Sequence, residues 1–241
     1  MRHPDQWSPS RLVKDPRTGR FRADRTRVWA GSHYIADLQC VEYVSMIQTY
    51  IAGDVLDLGC GTAPYYEVYR PKASSVTCLD RSADERVRAV VDVVADIDRP
   101  LPFPDASFDA VLLTDVIAHV RDPWALMREI SRVLRPGGHL VLTTPFIYWL
   151  CEYPNDFFHP SRFALEELCA RGGQQVQVLR SYGGQADVLM DTLNKMFPTG
   201  IGHRLFTGLV RILDFSGWLR RDRERTRETY SLGYVLVSRR A

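Results

Sequence analysis

The feature that most constrains the fold is a short apolar run that ends in a glycine-rich turn. Asp54-Val55-Leu56-Asp57-Leu58 is followed directly by Gly59-Cys60-Gly61. A short apolar run bounded by turn residues is typical of a parallel strand buried on both faces. Glycine lets the chain turn sharply and brings the backbone close to a ligand, because it has no Cβ. The pattern therefore predicts a parallel α/β sheet with a binding site where this strand ends.

Strands and helices are predicted to alternate along the rest of the chain. Further strands are expected at 75–80, 87–95, 108–113, 140–144, 175–179 and 232–238, and helices at 33–51, 64–69, 122–134, 161–170 and most of 187–219. Asp122-Pro123 has the residues of a helix start, and we expect Pro136-Gly137-Gly138 to stop that helix. The alternation favours a doubly wound sheet.

Composition excludes several classes of protein. The 241 residues are 45% hydrophobic and 25% charged, which is the composition of a globular chain and not of a disordered one. A net charge of +2 gives no global field that demands nucleic acid or membrane. The five cysteines include no CxxC pair, which favours a reducing compartment and hence a cytoplasmic location. Residues 1–14 lack the apolar core of a secretory signal, and the longest apolar stretch, 140–151, is too short to span a bilayer.

The acid Asp80 ends the second predicted strand, where a carboxylate can accept hydrogen bonds from both hydroxyls of a ribose. A dinucleotide-binding fold would share this feature. However, Pro64 stands where the third glycine of GxGxxG would lie. Asp57 at the mouth of the turn would repel a pyrophosphate and suits a cationic group such as an amino-acid ammonium. These two residues argue against a dinucleotide-dependent oxidoreductase.

At these residues the chain resembles the class I S-adenosylmethionine-dependent methyltransferases, and most closely the small-molecule group called methyltransferase type 11. The resemblance covers about residues 53–145. Its segments, in chain order, are Val55–Gly61, Asp96-Ile97, Leu101–Phe103, Ser107–Val111, Thr114–Val120 and Leu134–Gly138. It implies a Rossmann-like, seven-stranded doubly wound sheet whose last strand is antiparallel. It also implies S-adenosyl-L-methionine as cofactor and S-adenosyl-L-homocysteine as product.

The resemblance further implies which residues contact the cofactor. Asp57 would order its methionine end, Asp80 would bind the ribose and Asp96 would meet the adenine amine. The implied set is Asp57, Gly59, Cys60, Gly61, Asp80, Arg81, Asp96, Ile97, Thr114 and Asp115. Ala63 replaces a family glycine, which is tolerable if that position is not left-handed. Ala118 replaces a carboxylate that some relatives use to hold a metal, so no metal is predicted.

Methyl transfer needs in-line alignment and often a base that takes the acceptor's proton. His119, after the fourth predicted strand, is one candidate base; a packing role is its alternative. A long loop in a compact domain is usually functional, and the aromatic loop over 145–163 resembles the family loop that walls the acceptor pocket, which implies the same role here. It supplies His159 as a second catalytic candidate and Tyr148, Tyr153 and Asp156 as substrate contacts. The alternative is that its end only caps the following helix.

Two of the segments outside the resemblance are rich in basic residues. Residues 1–31 are predicted to form an N-terminal arm, with eight basic against three acidic side chains, that is either a solvated tail or a flap over a ligand. The methyltransferase domain is then 32–241, with a helical insert at 186–228. Residues 201–227 combine an apolar helix face with seven arginines. Three interpretations stay open for them: a cover for the sheet, a peripheral membrane contact and a homodimer interface.

The predicted function is transfer of a methyl group to oxygen or nitrogen of a small-molecule or lipid-like metabolite. No nucleic-acid partner is expected, because Thr114-Asp115-Val116-Ile117 differs from the Asn/Asp-Pro-Pro-aromatic motif of amino-adenine methylation. The alternative is a non-catalytic, S-adenosylmethionine-binding or scaffold protein of the same fold.

Overall fold

The computed structural model describes residues 1, 4, 5, 7–81, 87 and 89–241. The strands are β1 Leu12–Lys14, β2 Phe21–Ala23, β3 Gly53–Leu58, β4 Ala73–Asp80, β5 Val93–Val94, β6 Phe108–Thr114, β7 Leu134–Pro145, β8 Gln174–Tyr182 and β9 Gly233–Arg240. The α-helices are α1 His33–Tyr50, α2 Tyr66–Tyr69, α3 Pro123–Val133, α4 Arg162–Arg171, α5 Gln185–Met196, α6 Gly200–Phe215 and α7 Trp218–Thr226. Short 3-10 turns include Ile117–His119.

Seven strands form one mixed sheet in the order β5-β4-β3-β6-β7-β9-β8. The pairs from β5 to β7 are parallel, and β9 runs antiparallel to both of its neighbours. The predicted seven-stranded sheet with an antiparallel last strand is therefore confirmed. The chain winds outward in both directions from the β3–β6 pair, and in such sheets ligands bind beyond the carboxyl ends of the strands at this switch point.

The core consists of one apolar layer on each face of the sheet. Val55 belongs to the layer beneath α1 and α2, whereas Leu56 and Leu58 belong to the layer beneath α3 and α4. This follows from the two-residue period of a strand. The same period places Asp57 on the face of Val55, toward α2.

One helix start matches its prediction and one helix stop does not. Asp122 Oδ1 accepts a hydrogen bond of 2.9 Å from Ala125 N, with Pro123 in the first turn of α3. The predicted stop at 136–138 is wrong, because α3 ends at Val133 and β7 begins at the next residue. Gly138 instead lets β7 lie close to β6, because a Cβ there would be 2.9 Å from Asp109 O.

The third predicted strand, over 87–95, is much shorter in the structure. Only Val93–Val94 is extended as β5, and residues 82–86 and 88 lie outside the described residues. The amides of Val90 and Val91 donate to Val87 O at 3.0 and 3.2 Å, so this stretch forms a turn. Apolar, β-branched composition did not distinguish that turn from a strand.

The predicted N-terminal arm is packed against the domain. β1 and β2 form an antiparallel hairpin, in which Leu12 pairs with Ala23, and both side chains are buried. Trp7 Nε1 donates to Ala63 O at 3.0 Å, and Thr62 Oγ1 donates to Ser10 Oγ at 2.8 Å. These contacts bring the arm to the carboxyl end of β3.

The helices α5, α6 and α7 fill the predicted insert and are tied to α1 through one carboxylate. Asp187 is fully buried and accepts hydrogen bonds from Tyr34 Oη at 2.5 Å, Arg223 Nη2 at 2.8 Å and Gly184 N at 2.7 Å. The apolar helix face predicted for 201–227 is divided in the structure between buried and exposed side chains. Phe206 and Leu219 are buried, while most of the other apolar side chains are exposed.

Within the described part of the chain, no helix combines the length and the apolar character needed to cross a membrane.

Candidate functional site

Two cavities adjoin at the carboxyl ends of β3, β4 and β6. The first, called here the glycine-turn cavity, has a volume of about 510 Å³. Its wall includes Gly59, Cys60, Gly61, Asp80, Arg81, Ala95, Ile97, Asp98, Thr114 and Val116. It lies at the switch point of the sheet, where a ligand is expected.

The second cavity, called here the arm cavity, has a volume of about 460 Å³. It lies between the N-terminal arm and the loop that follows β7. Its wall includes Arg27, Val28, Trp29, Ile35, Gln39, Tyr148, Cys151, Asp156 and His159. Both cavities are lined by Arg11, Thr62, Pro64, Asp115, His119 and Glu152. A ligand in one cavity can therefore meet a ligand in the other at this shared wall.

The glycine turn forms the floor of the first cavity. Gly59 and Gly61 have φ of +69° and +53°, which favour glycine. Asp80 Oδ2 accepts a hydrogen bond of 2.9 Å from Gly61 N and so ties the turn to the end of β4. A Cβ on Gly61 would meet no described heavy atom within 4 Å, so the backbone here is open to a ligand.

Ala63 occupies the left-handed region with φ +49°. The condition under which alanine was expected to be tolerable is therefore not met. The left-handed conformation costs a non-glycine residue about 1–2 kcal/mol. Here the buried methyl and the hydrogen bond from Trp7 Nε1 to Ala63 O hold the residue in place.

Asp57 lies behind the turn. Its side chain is 2% exposed, and Oδ2 accepts a hydrogen bond of 2.7 Å from Tyr69 Oη. Burial raises the pKa of Asp57 to about 7, and the hydrogen bond from Tyr69 opposes that shift. Asp57 is not among the described residues that line the glycine-turn cavity.

The structure corrects the expectation for Asp96. Its side chain is exposed, and in the stretch after β5 the acid that lines the cavity is Asp98. Asp98 Oδ1 accepts a hydrogen bond of 2.8 Å from Arg121 N, which connects it to the loop after β6. Because β5 ends at Val94, strand alternation no longer determines which side chains face the cavity beyond it.

Asp115 is the centre of a polar cluster at the shared wall. It has φ +55°, and its Oδ1 accepts from Tyr43 Oη at 2.8 Å and from Thr143 Oγ1 at 3.1 Å. The Tyr43 hydroxyl lies 3.0 Å from that of Tyr182, and Gln39 Nε2 donates to both at 3.2 Å. The carboxylate is therefore held in one orientation.

Arg11 completes this cluster from the N-terminal arm. Its guanidinium donates to Gln39 Oε1. Burial alone would lower the pKa of Arg11, but Tyr65 and Asp115 nearby hold that pKa above its ordinary value. A permanent positive charge thus lies at the boundary of the two cavities. Sequence reasoning missed Arg11, because the arm carries no family motif and its contacts are all long-range.

His119 has a defined tautomer. Its Nδ1 lies 2.9 Å from Asn155 O in the loop after β7. A carbonyl oxygen only accepts, so Nδ1 carries the proton and Nε2 carries the lone pair of the neutral ring. The same loop is fixed to this turn because Phe157 N donates to Ala118 O at 2.8 Å.

His159 and Asp156 brace the loop internally. Asp156 Oδ2 accepts from Cys151 N at 2.7 Å, and its Oδ1 lies 3.0 Å from His159 Nε2, at an angle outside that of a hydrogen bond. His159 Nδ1 lies 3.2 Å from Phe146 O. Both ring nitrogens of His159 thus face oxygen acceptors. Tyr153 is 87% exposed and is not among the described lining residues of either cavity, which corrects its expected substrate contact.

Aromatic contacts connect the segments that surround the arm cavity. Trp29 of the arm stacks on Trp149 of the loop, with ring centroids 5.6 Å apart and planes at 2°. Lys195 Nζ of α5 lies 4.4 Å from the centroid of the Tyr148 ring. The arm, the loop and the insert are therefore joined around one opening.

Known proteins are similar in sequence to the central part of this chain. The sequence model of a family described as "Methyltransferase domain" matches residues 56–142. A 27-O-demethylrifamycin SV methyltransferase of Amycolatopsis mediterranei is 38% identical over 104 residues, which are 38% of this chain and 38% of that protein. A ubiquinone biosynthesis O-methyltransferase of Xanthomonas oryzae is 31% identical over 121 residues, 43% of this chain and 48% of that protein. The match thus spans less than half of each of these two relatives.

Solved structures share the fold over a longer stretch. An S-adenosylmethionine-dependent methyltransferase from Mesorhizobium loti superposes with TM-score 0.58 at 18% identity, covering 86% of this chain and 100% of that one. The [4+2]-cyclase SpnF superposes with TM-score 0.55 at 22% identity, covering 85% and 82%. At these identities the likeness concerns the fold alone.

The motif set, the strand order and the family match agree. Residues 56–142 belong to a class I S-adenosylmethionine-dependent methyltransferase domain, and the resemblance stated from the sequence is confirmed. S-adenosyl-L-methionine is the cofactor of this family. The chain fits it: the turn at Gly61 is open to the cavity, and Asp80 and Asp98 lie on its wall.

Proposed function

We propose that this protein transfers a methyl group from S-adenosyl-L-methionine to a hydroxyl of a small-molecule acceptor bound in the arm cavity. The main support is the position of His119, which lines both cavities. Its Nδ1 faces Asn155 O, so Nε2 is the nitrogen that can accept a proton. The matched relatives support oxygen as the acceptor atom, since two of them are named for methylation at oxygen. The proposed acceptors include the lipid-like metabolites predicted from the sequence.

The residues of the glycine-turn cavity would hold the cofactor. When bound, it supplies an electrophilic methyl group on a sulfonium. The backbone of Gly59–Gly61 would pass beneath it, and Asp80 would accept hydrogen bonds from the ribose hydroxyls. The guanidinium of Arg11 has five N–H donors and would pair with the methionine carboxylate.

The acceptor's proton would go to His119 Nε2. A base is useful because the hydroxyl becomes a stronger nucleophile as it loses its proton. Asn155 keeps the imidazole in the tautomer that can accept, and the contact from Phe157 N to Ala118 O holds the two loops together. His159, with both nitrogens facing acceptors, would act as a positioning residue for the loop, together with Asp156.

The test is release of S-adenosyl-L-homocysteine with a panel of phenols, hydroxyquinones and enols, using wild type and His119→Gln. We expect the variant to bind the cofactor normally and to lose about 10²–10⁴-fold in kcat. His139→Gln is the matched control, because His139 pairs with Ala110 near the start of β6 and lies far from the carboxyl ends of the strands. Cofactor binding without turnover on any acceptor would favour the non-catalytic alternative.

A further inference from the structure

Helix α6 is apolar on two opposite faces. Its inner face packs through Phe206, Val210 and Leu213 onto α5, α7 and Tyr34 of α1. Its outer face carries four large apolar side chains that are mostly exposed. These are Ile201 at 78%, Leu205 at 70%, Ile212 at 67% and Phe215 at 97%. At 3.6 residues per turn they fall on one line along the helix, called here the outer stripe.

Arginines border the outer stripe. Arg204 and Arg211 are exposed and fall along one edge of it, and Arg220 and Arg221 are exposed just beyond the turn at Gly217. The one acidic side chain within α6, Asp214, falls on the far side from the stripe. The surface therefore combines an apolar line with an excess of positive charge.

This combination fits a lipid surface better than a second copy of the chain. A helix that lies at a membrane interface inserts apolar side chains among the acyl chains and places arginines at the level of the phosphates. In an antiparallel pair of copies, symmetry would bring the two arginine edges together on the same side of the contact. The outer stripe offers no carboxylate to neutralise them.

We propose that α6 docks on an anionic lipid bilayer, with the outer stripe in contact with acyl chains and Arg204 and Arg211 in contact with lipid phosphates. This surface is separate from the two cavities, so the inference does not rest on the proposed methyl transfer. The inner face of α6 stays packed on the domain in the docked state.

The experiment is co-flotation of the full chain with vesicles of phosphatidylcholine alone and of phosphatidylcholine mixed with phosphatidylglycerol. We expect at least tenfold stronger partitioning onto the anionic vesicles, decreasing with added salt. Phe215→Ser should weaken partitioning about tenfold or more, because a nearly fully exposed phenyl would otherwise be buried in lipid. Arg204→Gln with Arg211→Gln should remove the preference for the anionic vesicles.

Two controls keep the result interpretable. Phe163→Ser changes another exposed phenyl, at 72% exposure on α4, and should leave flotation unchanged. Sedimentation velocity without lipid measures the oligomeric state. Equal flotation of wild type and Phe215→Ser would overturn the proposal, as would absence of flotation with both vesicles. A dimer that Phe215→Ser dissociates would overturn it in favour of a second copy on the stripe.

Discussion

Gly59 and Gly61 are two glycines of one turn, and the structure assigns them different roles. Gly59 has φ +69°, and a Cβ there would lie 2.7 Å from Val116 Cγ2 and 2.8 Å from Val116 Cγ1. Gly61 has φ +53°, and a Cβ there would meet no described atom within 4 Å. Alanine at either position carries the left-handed cost, but only Gly59→Ala adds a collision between β3 and the loop after β6.

The magnitudes follow from these two terms. The left-handed conformation costs about 1–2 kcal/mol, and overpacking against the partly buried Val116 costs about 1–3 kcal/mol. Alanine also restricts the unfolded chain, which raises the free energy of unfolding by about 0.4–1 kcal/mol. We therefore expect Gly59→Ala to lower the free energy of unfolding by about 2–4 kcal/mol and Gly61→Ala by about 1 kcal/mol or less.

Urea unfolding of the ligand-free protein measures both values, and calorimetry measures cofactor affinity. Gly61→Ala should weaken cofactor binding more than it weakens the fold, because its methyl would enter the open cavity. Val116→Ala should restore part of the stability that Gly59→Ala loses, since it removes both colliding methyl groups. Equal stability losses in the two glycine variants, or no rescue by Val116→Ala, would show that Val116 does not determine the cost at Gly59.

Three further predictions concern buried charges. The pKa of Asp57 is about 7 in the folded protein, against an ordinary value of 3.8. Between these two pH values the folded state holds a proton that the unfolded state has lost, so the free energy of unfolding should fall as pH rises from about 4 through 7. Asp57→Asn should flatten that slope in urea melts. An unchanged slope in the variant would assign the pH dependence to other groups. Arg11→Gln should weaken the binding of S-adenosyl-L-methionine about tenfold or more, but should leave the binding of decarboxylated S-adenosylmethionine unchanged in calorimetry. An equal loss of affinity for both ligands would show that Arg11 does not contact the carboxylate. Asp187→Asn should destabilise the fold by about 3–5 kcal/mol, because it leaves Arg223 without its carboxylate partner. The control Asp214→Asn, at an exposed position, should change stability little. Equal stability of the two variants in urea melts would contradict this prediction.

The sheet could be predicted from sequence because local signals agreed with one another. Apolar runs, the glycine turn after Leu58 and the Asp122-Pro123 helix start each act over a few residues. The ordered family motifs then fixed the strand order. Most implied cofactor residues, among them Asp80 and Thr114, line the glycine-turn cavity for the same reason: they sit at strand ends.

The remaining features depend on tertiary contacts that no local pattern encodes. Periodicity showed that α6 carries many apolar side chains but not which of them are buried, because the helix is apolar on two opposite faces. Arg11 reaches the shared wall through a hairpin whose docking is long-range. The roles of Asp96 and Asp98 depend on where β5 ends, and Ala63 is held left-handed by packing with the arm.

The glycine-turn cavity is the expected binding site of S-adenosyl-L-methionine. Calorimetric titration of the full chain with S-adenosyl-L-methionine, S-adenosyl-L-homocysteine and NAD tests this expectation directly, with Asp80→Ala as the control once its fold is verified by circular dichroism. We expect micromolar binding of both adenosyl ligands, strong loss of that binding in Asp80→Ala and no binding of NAD. Binding of NAD in place of the adenosyl ligands, or adenosyl binding unaffected by Asp80→Ala, would contradict it.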